Sequence, residues 1–310
     1  MITIFKSIQN NLKEISKFEN DCWINVSNPT NEELEKLSQK LKIPLDFLTD
    51  PLDVDERARI DAENGCILIV LRVSRFDEKE VDIPFTTLPV GIIITKEIAI
   101  TICSKDVRVI LDFINGKVRN FSTENKSRFL LQISHRTALL YLKDLREINN
   151  RTTMVEKELH KAMKNEELIK LLNIEKSLVF FTTSLRSNEL MMERLQKTEI
   201  IKMNPDDEDL MEDVITESKQ AIEMSNVYSN ILSGMMDAFA SVISNNLNVV
   251  VKFLAAVTII LMIPTLIASL YGMNVKLPFQ DSSHAFLITL SISFTLSAIG
   301  VLIFIKRKSF

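Results

Sequence analysis

The residues best placed to do chemistry in this 310-residue chain are not a catalytic set. Tyr271-Gly272-Met273-Asn274 closes an apolar run, Phe253–Val275, that carries no charged side chain over 23 residues. Asn274 and the carbonyls of Gly272 and Met273 offer neutral oxygens, which can accept hydrogen bonds from a hydrated cation without stripping its water. Glycine lets the backbone turn closely there. The same tripeptide also reads as a plain helix end, with Gly272 as the C-cap.

Alternating steps of three and four residues back from this point trace one helix face. They give Thr265, Met262, Thr258, Leu254 or Ala255, Val251, Asn248, Ser244, Ser241 and Asp237. Polar side chains inside a membrane usually face protein interior or water rather than lipid. Thr265, Thr258 and Asn248 would then line a water-filled path. Leu254, Val251 and Met262 would narrow it, and Asp237 would place acid at the inner end. The alternative for Thr258 and Thr265 is a hydroxyl bonded to its own helix backbone. A second polar group, Asp206, Asp207, Glu208, Asp209, Glu212 and Asp213, suits a helix N-terminus electrostatically.

Other chemistries lack their residues. No Gly-x-x-x-x-Gly-Lys-[Ser/Thr] loop occurs, and six glycines leave little room for a phosphate cradle. His135, His160 and His284 lie far apart with no Cys or His at metal-ligand spacing. No nucleophile, base and acid can be grouped, so catalysis and an organic cofactor are not expected. A net charge of -4 gives no nucleic-acid footprint. Three scattered cysteines cannot form a disulfide scaffold and fit a reducing cytoplasm.

The elements that must position the tripeptide follow from hydropathy. Phe253–Val275 and Ala285–Ile305 are each long enough to cross a bilayer, and both exceed an ordinary soluble core helix. Lys306, Arg307 and Lys308 follow the second span and Lys252 precedes the first, which predicts both termini in the cytoplasm and a short external loop. The N-terminus has no apolar run of signal-peptide length. Outside this terminal region, 32 Lys and Arg stand against 40 Asp and Glu, an acidic body that suits a cation better than anionic lipid or nucleic acid.

From Lys117 to Ser233 there is no glycine and only Pro205, which predicts long helices near Glu124–Lys164 and Glu166–Met203. Asn204-Pro205-Asp206-Asp207 then stops one helix and starts another. From there apolar residues recur every 3.5 positions or so and run straight into the first span. One helix from Asp206 to about Tyr271 would be roughly 100 Å long and needs partners, whether the preceding helices or copies of itself. The first 120 residues read as short strands at Thr3–Phe5, Trp23–Ser27, Cys66–Phe76, Gly91–Thr95 and Ile98–Cys103. Helices are expected at Asn31–Leu41, capped by Asn28, Thr30 or Asn31, and at Asp106–Asn115. Asn64-Gly65 predicts a tight hairpin between Arg57–Ala62 and Cys66–Phe76.

The fold class is therefore α+β: a mixed sheet flanked by helices, then long stalk helices and two C-terminal transmembrane helices. The divisions are an α/β domain over 1–120, long helices over 121–205 and a stalk over 206–248. The first span over 249–271, the external loop over 272–284, the second span over 285–305 and a basic tail over 306–310 complete the chain.

In this setting Gly272-Met273-Asn274 resembles the CorA family of magnesium channels, in which that tripeptide closes the first of two C-terminal spans at the external pore mouth. The resemblance extends through Ser233-Gly234-Met235-Met236-Asp237 and Asn245–Asn248, and is close over Asp206–Phe310. It implies a funnel-shaped homopentamer in the cell membrane, taking up Mg2+ with Co2+ and Ni2+ as further substrates. It places Asn248, Leu254 and Asp237 on family pore positions. It also implies closure by cytoplasmic Mg2+, with Asp213 as one regulatory carboxylate. Well-studied members often carry an acidic loop after the tripeptide. Here Val275-Lys276-Leu277-Pro278-Phe279-Gln280-Asp281 is nearly neutral, which weakens attraction at the mouth. Met273 favours the magnesium branch over the zinc-transporting one. A proton-coupled zinc exporter and a non-conducting, membrane-anchored coiled coil remain as alternatives.

Overall fold

The computed structural model describes residues 1–306 apart from 10, 78–82, 163, 164, 199, 202, 276, 280 and 281, and the side chains of residues 160–162. Lys276, Gln280 and Asp281 of the expected loop, the tail residues Arg307 and Lys308, and the His160 side chain thus lie outside the described residues. The chain forms two compact units, Met1–Gly234 and Met235–Phe310.

The first unit is built on a seven-stranded mixed sheet. Its strands are β1 (Ile2–Ile8), β2 (Asn11–Ile15), β3 (Trp23–Ser27), β4 (Arg59–Glu63), β5 (Cys66–Phe76), β6 (Phe85–Ile94) and β7 (Ala99–Cys103). They lie in the order β2-β1-β3-β7-β6-β5-β4, and only β3 and β7 run parallel. The β4–β5 hairpin turns on Asn64 and Gly65, both with positive φ as a two-residue turn of this kind requires. Two expected strands are longer than the sequence suggests, and β2 is additional. As the polar edge strand Asn-Leu-Lys-Glu-Ile, β2 pairs with β1 alone, so it needs little apolar content.

Helices cover both faces. On one side lie α1 (Asn31–Leu41) and the short α2 (Leu45–Thr49), the latter absent from the sequence reading. Of the three candidate caps Thr30 serves, its hydroxyl accepting from the Glu33 N–H while the Glu33 carboxylate accepts from the Thr30 N–H. Leu34, Leu37, Phe47 and Leu48 bury against Ile24, Val26, Leu68 and Ile100. The other side carries α3 (Arg108–Ile114), α4 (Lys126–Ala162), α5 (Asn165–Thr198) and the start of α6 (Pro205–Tyr271). There Trp23, fully buried, is ringed by Phe5, Phe113, Phe121 and Phe129. Removing each such large side chain from water contributes roughly 2 kcal/mol. Met191, Leu195, Met211 and Val214 join the same core, so the long helices and the sheet share one interior.

Arg72 on β5 fastens these layers. Its guanidinium donates to Ser184 on α5 and to the carbonyls of Val54 and Glu56, while its own carbonyl accepts from Tyr141 on α4 and Asn188 on α5. The second unit holds the rest of α6 and α7 (Ala285–Lys306).

Candidate functional site

Among the described residues two helices are long and apolar enough to span a bilayer: α6, in its C-terminal part, and α7. Leucine, isoleucine, valine and phenylalanine dominate both, and most of those side chains are exposed in the single chain. That pattern marks surfaces whose natural solvent is lipid or another copy rather than water.

The two spans meet along one stripe of α6. Ala256 and Ile267 are buried, and a methyl group added at Gly300 of α7 would touch Ile263 and Ile260. The stripe 256, 260, 263, 267 therefore faces α7. Thr258, Met262 and Thr265 each sit two positions further on, about 160° away around a helix that turns ~100° per residue. They are exposed, as are Leu254, Val251, Asn248, Ser244, Ser241 and Asp237. Thr258, Met262 and Thr265 thus share a surface that α7 leaves open, and the rest of the expected stripe is exposed as well.

The threonines on that surface bond to their own helix. Thr258 Oγ1 donates to the Leu254 carbonyl at 2.8 Å and Thr265 Oγ1 to the Leu261 carbonyl at 3.0 Å. Ser241 donates likewise to the Asp237 carbonyl. The backbone alternative is therefore present, and it does not compete with the water-lining one. A hydroxyl that spends its hydrogen on the helix keeps its oxygen lone pairs as acceptors. Those hydroxyls thus present acceptors, which suit the protons of a cation's water shell, while Asn248 adds an amide with both an acceptor and donors.

At the top, the Gly272 N–H donates to the carbonyls of Ala268 at 3.0 Å and Ser269 at 3.2 Å. Its φ is not in the left-handed region, which belongs to Gly65 and Gly116 among the glycines, so Gly272 is not a left-handed cap. A Cβ at Gly272 would stand 3.3 Å from the Ala268 carbonyl oxygen. Met273 follows with an N–H to Leu270, and Met273 and Asn274 are exposed. The Tyr271 hydroxyl donates to the Pro278 carbonyl at 3.1 Å and ties the helix end to the loop. At the start of α7, Ser282 Oγ accepts from the His284 N–H.

The acidic group at the start of α6 divides in two. Asp207 is fully buried, accepting from Ser127 Oγ at 2.8 Å and from Arg128 at 3.4 Å, and its carboxylate faces the Asn204 N–H. It anchors α6 to the start of α4. The signal for it lay in the sequence: Asn204 and Asp207 stand three apart, the spacing at which an acid reaches back to the cap. Asp206, Glu208, Asp209, Glu212 and Asp213 remain at the surface. Among the described residues no three His, Cys, Asp or Glu side chains come close enough together to hold a metal ion.

A mixed α/β unit joined through one long helix to a pair of spanning helices defines the class: an integral membrane protein whose first span continues a stalk. The chain matches the family described as CorA-like Mg2+ transporter protein over residues 19–307 and belongs to that family. It is 28% identical to the cobalt/magnesium transport protein CorA of Methanocaldococcus jannaschii over 292 residues, covering 91% of this chain and 89% of that protein. The magnesium transport protein CorA of Helicobacter pylori (strain 26695) is 26% identical over 298 residues, covering 92% and 89%. The complete structure of the CorA magnesium transporter from Methanocaldococcus jannaschii superposes with a TM-score of 0.84 at 26% identity, covering 98% of this chain and 97% of that one.

Proposed function

We propose that five copies of this chain form a channel that takes up hydrated Mg2+ through a path lined by the open face of α6. The observation that carries this reading is the exposure of Thr265 and Thr258 on the side of α6 away from α7, below Gly272-Met273-Asn274, with Asn248 exposed further down the same helix. Magnesium gives up its water reluctantly. A ring of Asn274 amide oxygens with the Gly272 and Met273 carbonyls accepts hydrogen bonds from that water and so selects the ion with its shell intact. Met262, Leu254 and Val251 form apolar rings, which can close by dewetting. Ser244 and Asp237 continue the path, and five Asp237 carboxylates concentrate cations at the inner end.

Co2+ and Ni2+, close to Mg2+ in size, pass as well. Both termini lie in the cytoplasm, with the tripeptide outside. The membrane potential drives uptake: at ~2.3 kcal/mol per charge per 100 mV, a divalent ion gains about 4.6 kcal/mol, roughly three powers of ten in concentration. Cytoplasmic Mg2+ closes the channel through carboxylates shared between neighbouring copies, Asp213 among them. The exposure of Asp213 and the lack of a closed metal-binding group among the described residues of one chain support a shared site.

Magnesium-dependent growth rescue by wild type and Asn274→Ala, with membrane insertion of both verified, tests the reading. Rescue by wild type alone is expected. Equal rescue by both would instead favour a membrane-anchored coiled coil that conducts nothing.

A further inference from the structure

The first unit contains a cavity of about 290 Å³ between the sheet and α3, remote in sequence from the terminal helix pair. Phe5, Ile110, Leu111 and Ile114 give it apolar walls, and Thr3, Glu14, Asn25 and Asp106 line it with polar groups. It lies beside the one parallel strand pair of the sheet, β3 and β7.

Asn25 is the informative residue. It is only 8% exposed. The Trp23 indole N–H donates to Thr101 Oγ1 at 2.8 Å. Thr101 Oγ1 in turn donates to Asn25 Oδ1 at 2.9 Å. In this arrangement Nδ2, the donor end, has no partner among the described residues. Nδ2 is not one of the fully buried unpaired atoms, so it opens onto the cavity and can donate to an acceptor bound there. A metal ion is not such an acceptor.

The rim has the opposite character. Asp106 accepts from Ser27 Oγ at 2.5 Å through one oxygen, Glu14 makes no ion pair among the described residues, and the one cation of the lining is the Met1 ammonium, already held by the Ser27 carbonyl at 2.8 Å and by Glu33 at 3.6 Å. Burial pushes the Cys103 thiol, also in the wall, up to about 12, so the sulfur stays neutral and is not a nucleophile.

We infer that this cavity binds a small organic cation: an ammonium facing Asp106 and Glu14, an apolar body against Phe5 and Ile110, and one carbonyl-type acceptor on Asn25 Nδ2. The site is independent of whether the chain conducts magnesium.

Trp23 is the single tryptophan of the chain and reports on the site directly. Its ring lies 5.1 Å from that of Phe5, and its N–H begins the relay that ends at Asn25. The full-length protein in detergent is titrated with L-phenylalaninamide, which carries an ammonium, a carbonyl and an apolar ring, while tryptophan emission is followed. A saturable change is expected, with none for N-acetyl-L-phenylalanine, which replaces the cation by an anion. Asn25→Leu removes the donor without adding a charge, and Asp106→Asn keeps the acceptor for Ser27 but loses the charge. Asp106→Asn weakens binding about tenfold or more, the size of a lost charge-assisted hydrogen bond, and Asn25→Leu weakens it by a smaller factor. Asp106 is exposed, so its variant tests the idea even if Asn25→Leu unfolds. No saturable response from wild type, equal responses to the two probes, or unchanged affinity in folded Asp106→Asn would each overturn the proposal.

Discussion

The sheet-bearing unit and the helix-pair unit spend the same amino-acid types in opposite ways. In the first, Trp23, Tyr141, Phe85 and Phe181 are buried, and polar groups such as Asp112, Asp144 and Asp207 find partners within the chain. In the second, Val251, Leu254, Leu261, Phe286 and Phe294 stand exposed, and Thr258, Thr265 and Asn248 face outward beside them. One chain completes the interior of the first unit. The second has its polar stripe on the surface with least support from its own chain, and the proposed channel would give that surface an interior by surrounding it with copies and a bilayer. Substitutions in the first unit should therefore cost stability, and those on the stripe should cost transport at unchanged stability.

The largest stability effect should come from Gly91→Ala on β6. A Cβ there would lie 2.4 Å from Pro51 Cγ and 2.7 Å from Ile102 Cγ2, in the middle of a packed sheet. Overpacking of this kind costs about 3 kcal/mol, measurable as a lower denaturation midpoint. A wild-type midpoint would show that this interior is looser than its contacts indicate. Asp207→Ala should follow at about 2 kcal/mol, since it leaves the Ser127 hydroxyl and Arg128 without their acceptor.

Asp112 sharpens the contrast through pH. Burial alone would raise its carboxyl, but hydrogen bonds from Lys117 and Arg136 outweigh this and hold it below the ordinary Asp value. A carboxyl lowered by folding stabilises fully above its unfolded value, near pH 4, and loses that contribution as pH falls through the lowered folded value. Asp112→Asn should be less stable than wild type at neutral pH by about 1.5 kcal/mol, with the gap narrowing below about pH 4. A constant gap would mean the charge contributes nothing. The smallest effect is expected on the stripe. Thr258→Val keeps the shape and removes the oxygen, and should slow uptake by about fivefold, or ~1 kcal/mol, with no change in melting.

How legible all this was in the sequence follows the same division. The helix α1 with its Thr30 and Glu33, the Asn64-Gly65 hairpin and the run of α6 into a span were readable because periodicity, caps and turn residues act locally. The first half of β6 was not, since Pro89 argues against a central strand. The strand tolerates it because β6 pairs with β7 only from Gly91 onward, so no β7 residue needs a donor from Pro89. The polar stripe was legible as a spacing. Which face of α6 meets α7 was not, because both faces are apolar enough to be buried, and the choice rests on Gly300 lying against Ile260 and Ile263. Asp207 was hidden among its acidic neighbours, and Asn25 carried no signal at all, since its meaning comes from Trp23 and Thr101 across the sheet.

The most direct test is flux of magnesium itself. Purified protein is reconstituted in vesicles loaded with a magnesium-sensitive dye, and an inside-negative voltage is imposed with Mg2+ outside. The account predicts a voltage-dependent rise in dye signal for wild type and none for Asn274→Ala. A silent dye with correctly inserted wild type, or equal signals from the two, would contradict it.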